Sequence, residues 1–150
     1  MASFTKGGSG PDPFGSNEYL RSTQDVKKES YTLAASTVPL ETVNGVANQK
    51  ILKPGEVLAK ITSGPESGKV GPFQAGATDG RQTVGNIVGL NDTFLPWQLL
   101  ERDVEVGATY EATAVQGWCF ERDAAGARIT LTNTTADAMR GVKGLDVHFK

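Results

Sequence analysis

Glycine and proline interrupt this chain so often that no ordered run can be long: 18 Gly and 7 Pro fall among 150 residues. Glycine loses the most backbone freedom on folding and proline lacks an amide donor, so both tend to end helices and strands. A long helical bundle or coiled coil is excluded. Short strands joined by tight turns remain. Val43-Asn44-Gly45-Val46 places an Asn-Gly pair between valines, the strongest local hairpin signal, because a type I′ turn needs positive φ at both central residues. Lys53-Pro54-Gly55-Glu56 is a second turn, with proline presetting φ and glycine taking the left-handed position.

Strand patterns follow in order. Val57, Ala59 and Ile61 alternate with Leu58, Lys60 and Thr62, and further extended runs are expected at residues 31–40, 69–73 and 83–90. The longest run is expected at 109–121, with Tyr110, Ala112, Ala114, Trp118 and Phe120 on one face. Residues 127–132 pair with it across Asp123-Ala124-Ala125-Gly126. One helix is expected over 134–142, with Thr134 and Asp137 in a capping arrangement and Gly141 or Gly144 at its end. A final strand closes the chain at 144–150, with Leu145, Val147 and Phe149 inward. The fold class is mainly β with one short helix, a small mixed α+β domain.

Residues 1–30 differ in kind. They hold Gly7, Gly8, Gly10 and Gly15, then a charged stretch with Glu18, Arg21, Asp25, Lys27, Lys28 and Glu29. Such a segment buries too little apolar surface to offset the roughly 1–2 kcal/mol per residue that ordering its backbone costs. The expectation is a flexible arm at 1–30 and a β-rich domain at 31–150. The arm is either passive or orders on a partner through the aromatic and apolar residues Phe14, Tyr19, Leu20 and Tyr31.

Charge and composition narrow the chemistry. The formal net charge is -2, so no global basic field attracts nucleic acid or anionic lipid. No run approaches the roughly 20 apolar residues that span a bilayer. The first eight residues hold no apolar signal core, so a protein made and kept inside its cell is expected. The lone cysteine, Cys119, is expected as a small buried hydrophobe, and the single histidine, His148, as a surface strand residue. The stretch Gly64-Pro65-Glu66-Ser67-Gly68-Lys69-Val70 is one residue short of a P-loop and has Val70 where a Ser or Thr would hold magnesium. Lys53 and Lys60 lack the flanks of a lipoyl or biotinyl lysine. Glu101, Asp103, Glu105, Glu111 and Glu121 are expected on solvated strand faces rather than as an acid/base pair. Asn91-Asp92-Thr93 and Asn133-Thr134-Thr135 match a glycosylation pattern that is expected to stay unmodified without secretion. Phe94, Leu95, Trp97, Leu99 and Leu100 crowd around Pro96, which makes a core-capping segment or a subunit contact. No catalytic residue, cofactor or metal ligand set assembles, and a non-enzyme is expected.

One stretch carries a family signal. Gly68-Lys69-Val70-Gly71-Pro72-Phe73, then Ala75-Gly76-Ala77-Thr78-Asp79-Gly80, then Thr83-Val84-Gly85-Asn86-Ile87-Val88 resembles the head decoration proteins of tailed bacteriophages, the phage lambda type. Upstream, Pro54-Gly55-Glu56-Val57-Leu58 matches that family's glycine turn before a Val-Leu strand. The resemblance is strongest over residues 50–90. Asn86 stands where an aliphatic residue would be expected, and the region of Trp97 has no obvious counterpart.

The resemblance implies a capsid-cementing protein on the outer surface of the expanded phage head, a virion component made in the host cytoplasm. It implies homotrimers at local three-fold positions and the major capsid protein as partner, with no nucleic acid and no membrane. The arm would order on the shell by adding a strand to a capsid sheet, with Phe14, Tyr19, Leu20, Tyr31, Leu33 and Val38 as contacts. Phe94, Leu95, Trp97 and Leu99 would lie at a subunit interface. The alternatives are another virion or cell-surface β-module (a tail, fibre or carbohydrate-binding domain) and a small enzyme with an unrecognised carboxylate site.

Overall fold

A computed structural model describes residues 19–96 and 100–150. Both turns read from the sequence form. Asn44 and Gly45 take φ of 51° and 81°, and Val43 faces Val46 between β2 (Glu41–Val43) and β3 (Val46–Gln49). Gly55 has φ 84°, and the amide of Glu56 donates to the Lys53 carbonyl at 3.3 Å. The hairpin of β8 (Phe120–Arg122) and β9 (Arg128–Thr130) also forms, with Glu121 opposite Ile129.

The main sheet closes on itself. β1 (Lys27–Leu33), β5 (Val70–Pro72), β4 (Val57–Lys60), β6 (Ile87–Asn91) and β7 (Val104–Ala114) are neighbours in that order, and β7 pairs back onto β1. β10 (Asp146–Phe149) adds in parallel to the far end of β7. Closure puts one face of each strand inside the ring. Leu33, Val70, Leu58, Val106 and Ala108 meet there, with Val88 packed against them and Leu52, Leu95 and Leu100 joining the cluster. The outward residues of β4, Val57 and Ala59, start a second core with Tyr19, Ile87, Leu90, Cys119, Val147 and Phe149. α1 (Asn133–Met139) covers that core through Ala136 and Met139. The sequence thus reads mainly β with one short helix, as expected, and β4 is apolar on both faces because both are covered.

Close approach constrains one glycine in the ring. Gly89 sits beside the irregularity between Leu58 and Ala59, at φ 151°, and a Cβ there would lie 2.4 Å from the Thr109 carbonyl oxygen. Backbone of a packed strand cannot move away as a side-chain tip can. Gly89→Ala is therefore expected to cost at least about 2 kcal/mol. The check is the urea midpoint at constant m, and an unchanged midpoint would mean that β6 and β7 are not packed this tightly.

Several boundaries differ from the sequence reading, each for a non-local reason. The stretch 31–40 is not one strand: β1 ends at Leu33 and a 3-10 turn follows at Ala35–Thr37. Asp103 accepts the Ala35 amide at 2.9 Å and Thr37 donates back to the Ala34 carbonyl at 2.7 Å, fixing that turn. The strand at 83–90 begins late, after a 3-10 turn at Val84–Asn86, because the Asn86 side chain donates to the Gly80 carbonyl at 2.8 Å. The long strand runs Val104–Ala114 rather than 109–121: β1 supplies a partner from Val104 to Glu111, and a 3-10 turn at Gln116–Trp118 ends it. The helix starts earlier than expected, capped by Thr132, whose Oγ1 accepts from the Thr135 amide at 3.3 Å.

The domain also takes in residues that the sequence assigned to the arm. Tyr19 is 1% exposed, Leu20 bridges Ala114, and β1 begins at Lys27. Residues 1–18 lie outside the described residues.

Candidate functional site

Of the expected shell contacts, three are buried in this domain and unavailable on its surface. Leu33 and Val38 belong to the core that fills the ring, and Tyr19 belongs to the core outside it. The Tyr19 hydroxyl lies 2.9 Å from Thr109 Oγ1 and donates to Asp92 Oδ1 at 3.4 Å. Burial, with Asp92 nearby, holds its pKa well above the usual phenol range, although Thr109 works the other way. These positions are corrected: an aromatic or aliphatic residue in a polar stretch can be a core residue when a sheet elsewhere in the chain offers it a slot. Leu20 is half-buried at its bridge to Ala114. Tyr31 is half-buried on β1 and donates to Glu29 at 3.0 Å; its pKa is pushed up to about 12 by burial and then by Glu29. Phe14 lies outside the described residues.

The expected subunit interface splits likewise. Leu95 is buried, exchanging backbone hydrogen bonds of 2.9 and 3.1 Å with Leu52, so for this residue the core-capping reading holds. Phe94 is half-buried. Trp97 and Leu99 lie outside the described residues.

What β1 offers to a partner is its backbone. β7 pairs along one edge of β1 from Lys27 to Leu33, whereas β5 meets the other edge only at Leu33 opposite Val70. The outer edge from Lys27 to Thr32 therefore carries no strand partner among the described residues. Its side chains are almost all exposed, and Lys27 and Lys28 pair with Glu111 and Asp92 at 2.6 and 2.8 Å. Lysines on such an edge are a common guard against indiscriminate pairing.

A second feature was missed in the sequence. Glu56 and Arg122, each 1% exposed, form a buried ion pair at 2.9 Å where β4 begins and β8 ends. Arg122 also donates to the carbonyls of Gly126 at 3.1 Å and Ile51 at 3.3 Å. Glu56 accepts the Lys53 amide at 2.6 Å and lies 3.1 Å from Arg128. Arg128 holds Glu41 through two hydrogen bonds of 2.8 Å. Burial opposes the Arg128 charge, but Glu56 and Glu41 outweigh it and keep its pKa raised. The network ties four separate segments together.

Cys119 is buried, and burial pushes its thiol up to about 12, far from a reactive thiolate. His148 is exposed and lies 2.9 Å from Asp146. Glu101, Asp103, Glu105 and Glu111 are exposed or half-buried. Glu121 departs from its expected solvated face: it is buried and accepts from Thr132 and Thr135 at the start of α1, at 3.0–3.1 Å. Among the described residues no group of His, Cys, Asp and Glu could hold a metal ion, and no helix is long and apolar enough to cross a membrane. Residues 68–88 place β5 and β6 on either side of β4, with Arg81 clamping Asp79 through Nε at 3.0 Å and donating to the Pro72 carbonyl at 3.0 Å. No family model, curated protein or solved structure matches this chain.

Proposed function

We propose that this chain is a capsid decoration protein, which binds the outer surface of an expanded phage head as trimers and staples neighbouring major capsid subunits against the pressure of packaged DNA. The observation that carries the reading is the unpartnered outer edge of β1, joined directly to the N-terminal segment. An exposed strand edge binds another chain by backbone hydrogen bonds, with alternate side chains setting the register. The resemblance over residues 50–90 supplies the identity of that other chain. Weak contacts repeated three at a time on a lattice gain strength through effective concentration. The protein acts by contact, with no reaction and no cofactor, and resides in the virion.

For the other virion or cell-surface β-modules, a single aromatic ring is exposed among the described residues, Trp118 at 38%. A carbohydrate platform commonly needs more.

Cosedimentation with undecorated heads tests the proposal. Saturable binding to expanded heads, near one copy per major capsid subunit, and none to unexpanded heads is expected. Failure to bind either form would overturn it. Deleting residues 1–18 should weaken binding while leaving every contact described above in place.

A further inference from the structure

The ion network between β4, β8 and β9 holds one more cation than carboxylates. Glu41 and Glu56 stand against Lys53, Arg122 and Arg128. Arg122 is matched by Glu56, and Arg128 is capped on both terminal nitrogens by Glu41. That leaves Lys53. Among the described residues its Nζ has neither a hydrogen bond nor a carboxylate within ion-pair distance, and its nearest aromatic partner is the Phe120 ring, with the centroid at 5.6 Å. The side chain is half-buried, and burial, followed by the Arg128 charge, lowers its pKa. An ammonium partly withdrawn from water beside another cation gains more from an incoming anion than one on an open surface would.

Lys53 also stands in the wall of a cleft. The cavity, about 570 Å³, is lined by Pro39, Leu40, Phe120, Gly126 and Thr130 beside the charged residues. This is more room than a single small anion fills, and Leu40, 58% exposed, and Phe120 give its lining an apolar part. Two of its walls are strands that, among the described residues, have an unpartnered edge: β2 pairs there only with β3, and β9 only with β8. Strand edges and apolar footholds around one cation suit an extended chain better than a free ion.

We propose that this cleft binds an extended peptide segment carrying an Asp or Glu side chain, whose carboxylate pairs with Lys53 while its apolar neighbours pack on Leu40 and Phe120. The segment belongs to a partner protein. The proposal stands apart from the capsid reading, because any partner presenting such a segment would be recognised.

Amide-resolved NMR of the full chain tests it without capsids. The probe is acetyl-Ala-Leu-Glu-Leu-Ala-amide at low ionic strength, compared with its Gln counterpart and with acetate and inorganic phosphate at matched ionic strength. Saturable shifts at Lys53, Phe120 and residues 126–130 are expected, with a Kd about tenfold tighter for the Glu peptide than for the Gln peptide. Lys53→Gln should abolish that preference and Lys53→Arg should keep it, and each variant's own spectrum reports whether it folds. Equal binding of the two peptides would remove the carboxylate from the proposal and overturn it. So would acetate or phosphate binding as tightly as the Glu peptide, which would make this a small-anion site. Shifts absent from the cleft at millimolar Glu peptide would also overturn it.

Discussion

Arg122→Ala is expected to destabilise the domain by about 3–5 kcal/mol, because it leaves Glu56 charged, buried and without its partner. Glu56 would keep its bond from the Lys53 amide and its approach to Arg128, and the carbonyls of Gly126 and Ile51 would each lose a donor. For a chain of this size that loss lowers the thermal midpoint by roughly 10 °C or more. The replacement of both charges has a different expectation. A Glu56→Gln, Arg122→Met double variant removes the unpaired charge, so it should recover much of the loss. Calorimetry on the single and double variants checks both statements. If Arg122→Ala melts with the wild type, the ion pair is not buried as described. If the double variant is no better than the single one, the backbone contacts of Arg122 dominate rather than its charge.

Deleting residues 1–30 is expected to unfold or severely destabilise the protein, whereas deleting 1–18 leaves the domain's stability unchanged. The longer deletion removes Tyr19 from the outer core and four residues of β1, Lys27 to Ser30, that pair with β7. Loss of one large buried aromatic alone costs about 3–5 kcal/mol. Gly55 shows how closely that ring is packed: a Cβ on it would lie 2.9 Å from the Tyr19 Cβ. Denaturant titration of the two truncations decides the matter. Equal stability of both would restore the boundary at residue 30 read from composition. The outcome also governs any binding experiment, since loss of capsid binding by the longer truncation would report unfolding, not loss of a contact.

The sequence by itself determined the local geometry. The Asn44-Gly45 hairpin, the Pro54-Gly55 turn, the β8–β9 pairing and a final strand with Val147 and Phe149 inward all follow from backbone sterics and alternation over a few residues. Such preferences are decided by atoms near one another in the chain, so they can be read there. The unpaired charge on Lys53 is different, since it depends on where Glu41, Arg122 and Arg128 arrive. Tyr19 looked like an arm residue because its neighbours are polar, and only the outer core with Val57 and Cys119, and Thr109 of β7 for its hydroxyl, made it core. Glu121 alternates like a surface residue, but α1 starts above it and supplies two threonines. Glu56 and Arg122 are 66 positions apart, and no local pattern brings them together. The closure of the sheet from β7 onto β1 belongs with these. A contact between distant segments forms when the whole chain lowers its free energy by burying both sides, and that sum is absent from any short window of sequence.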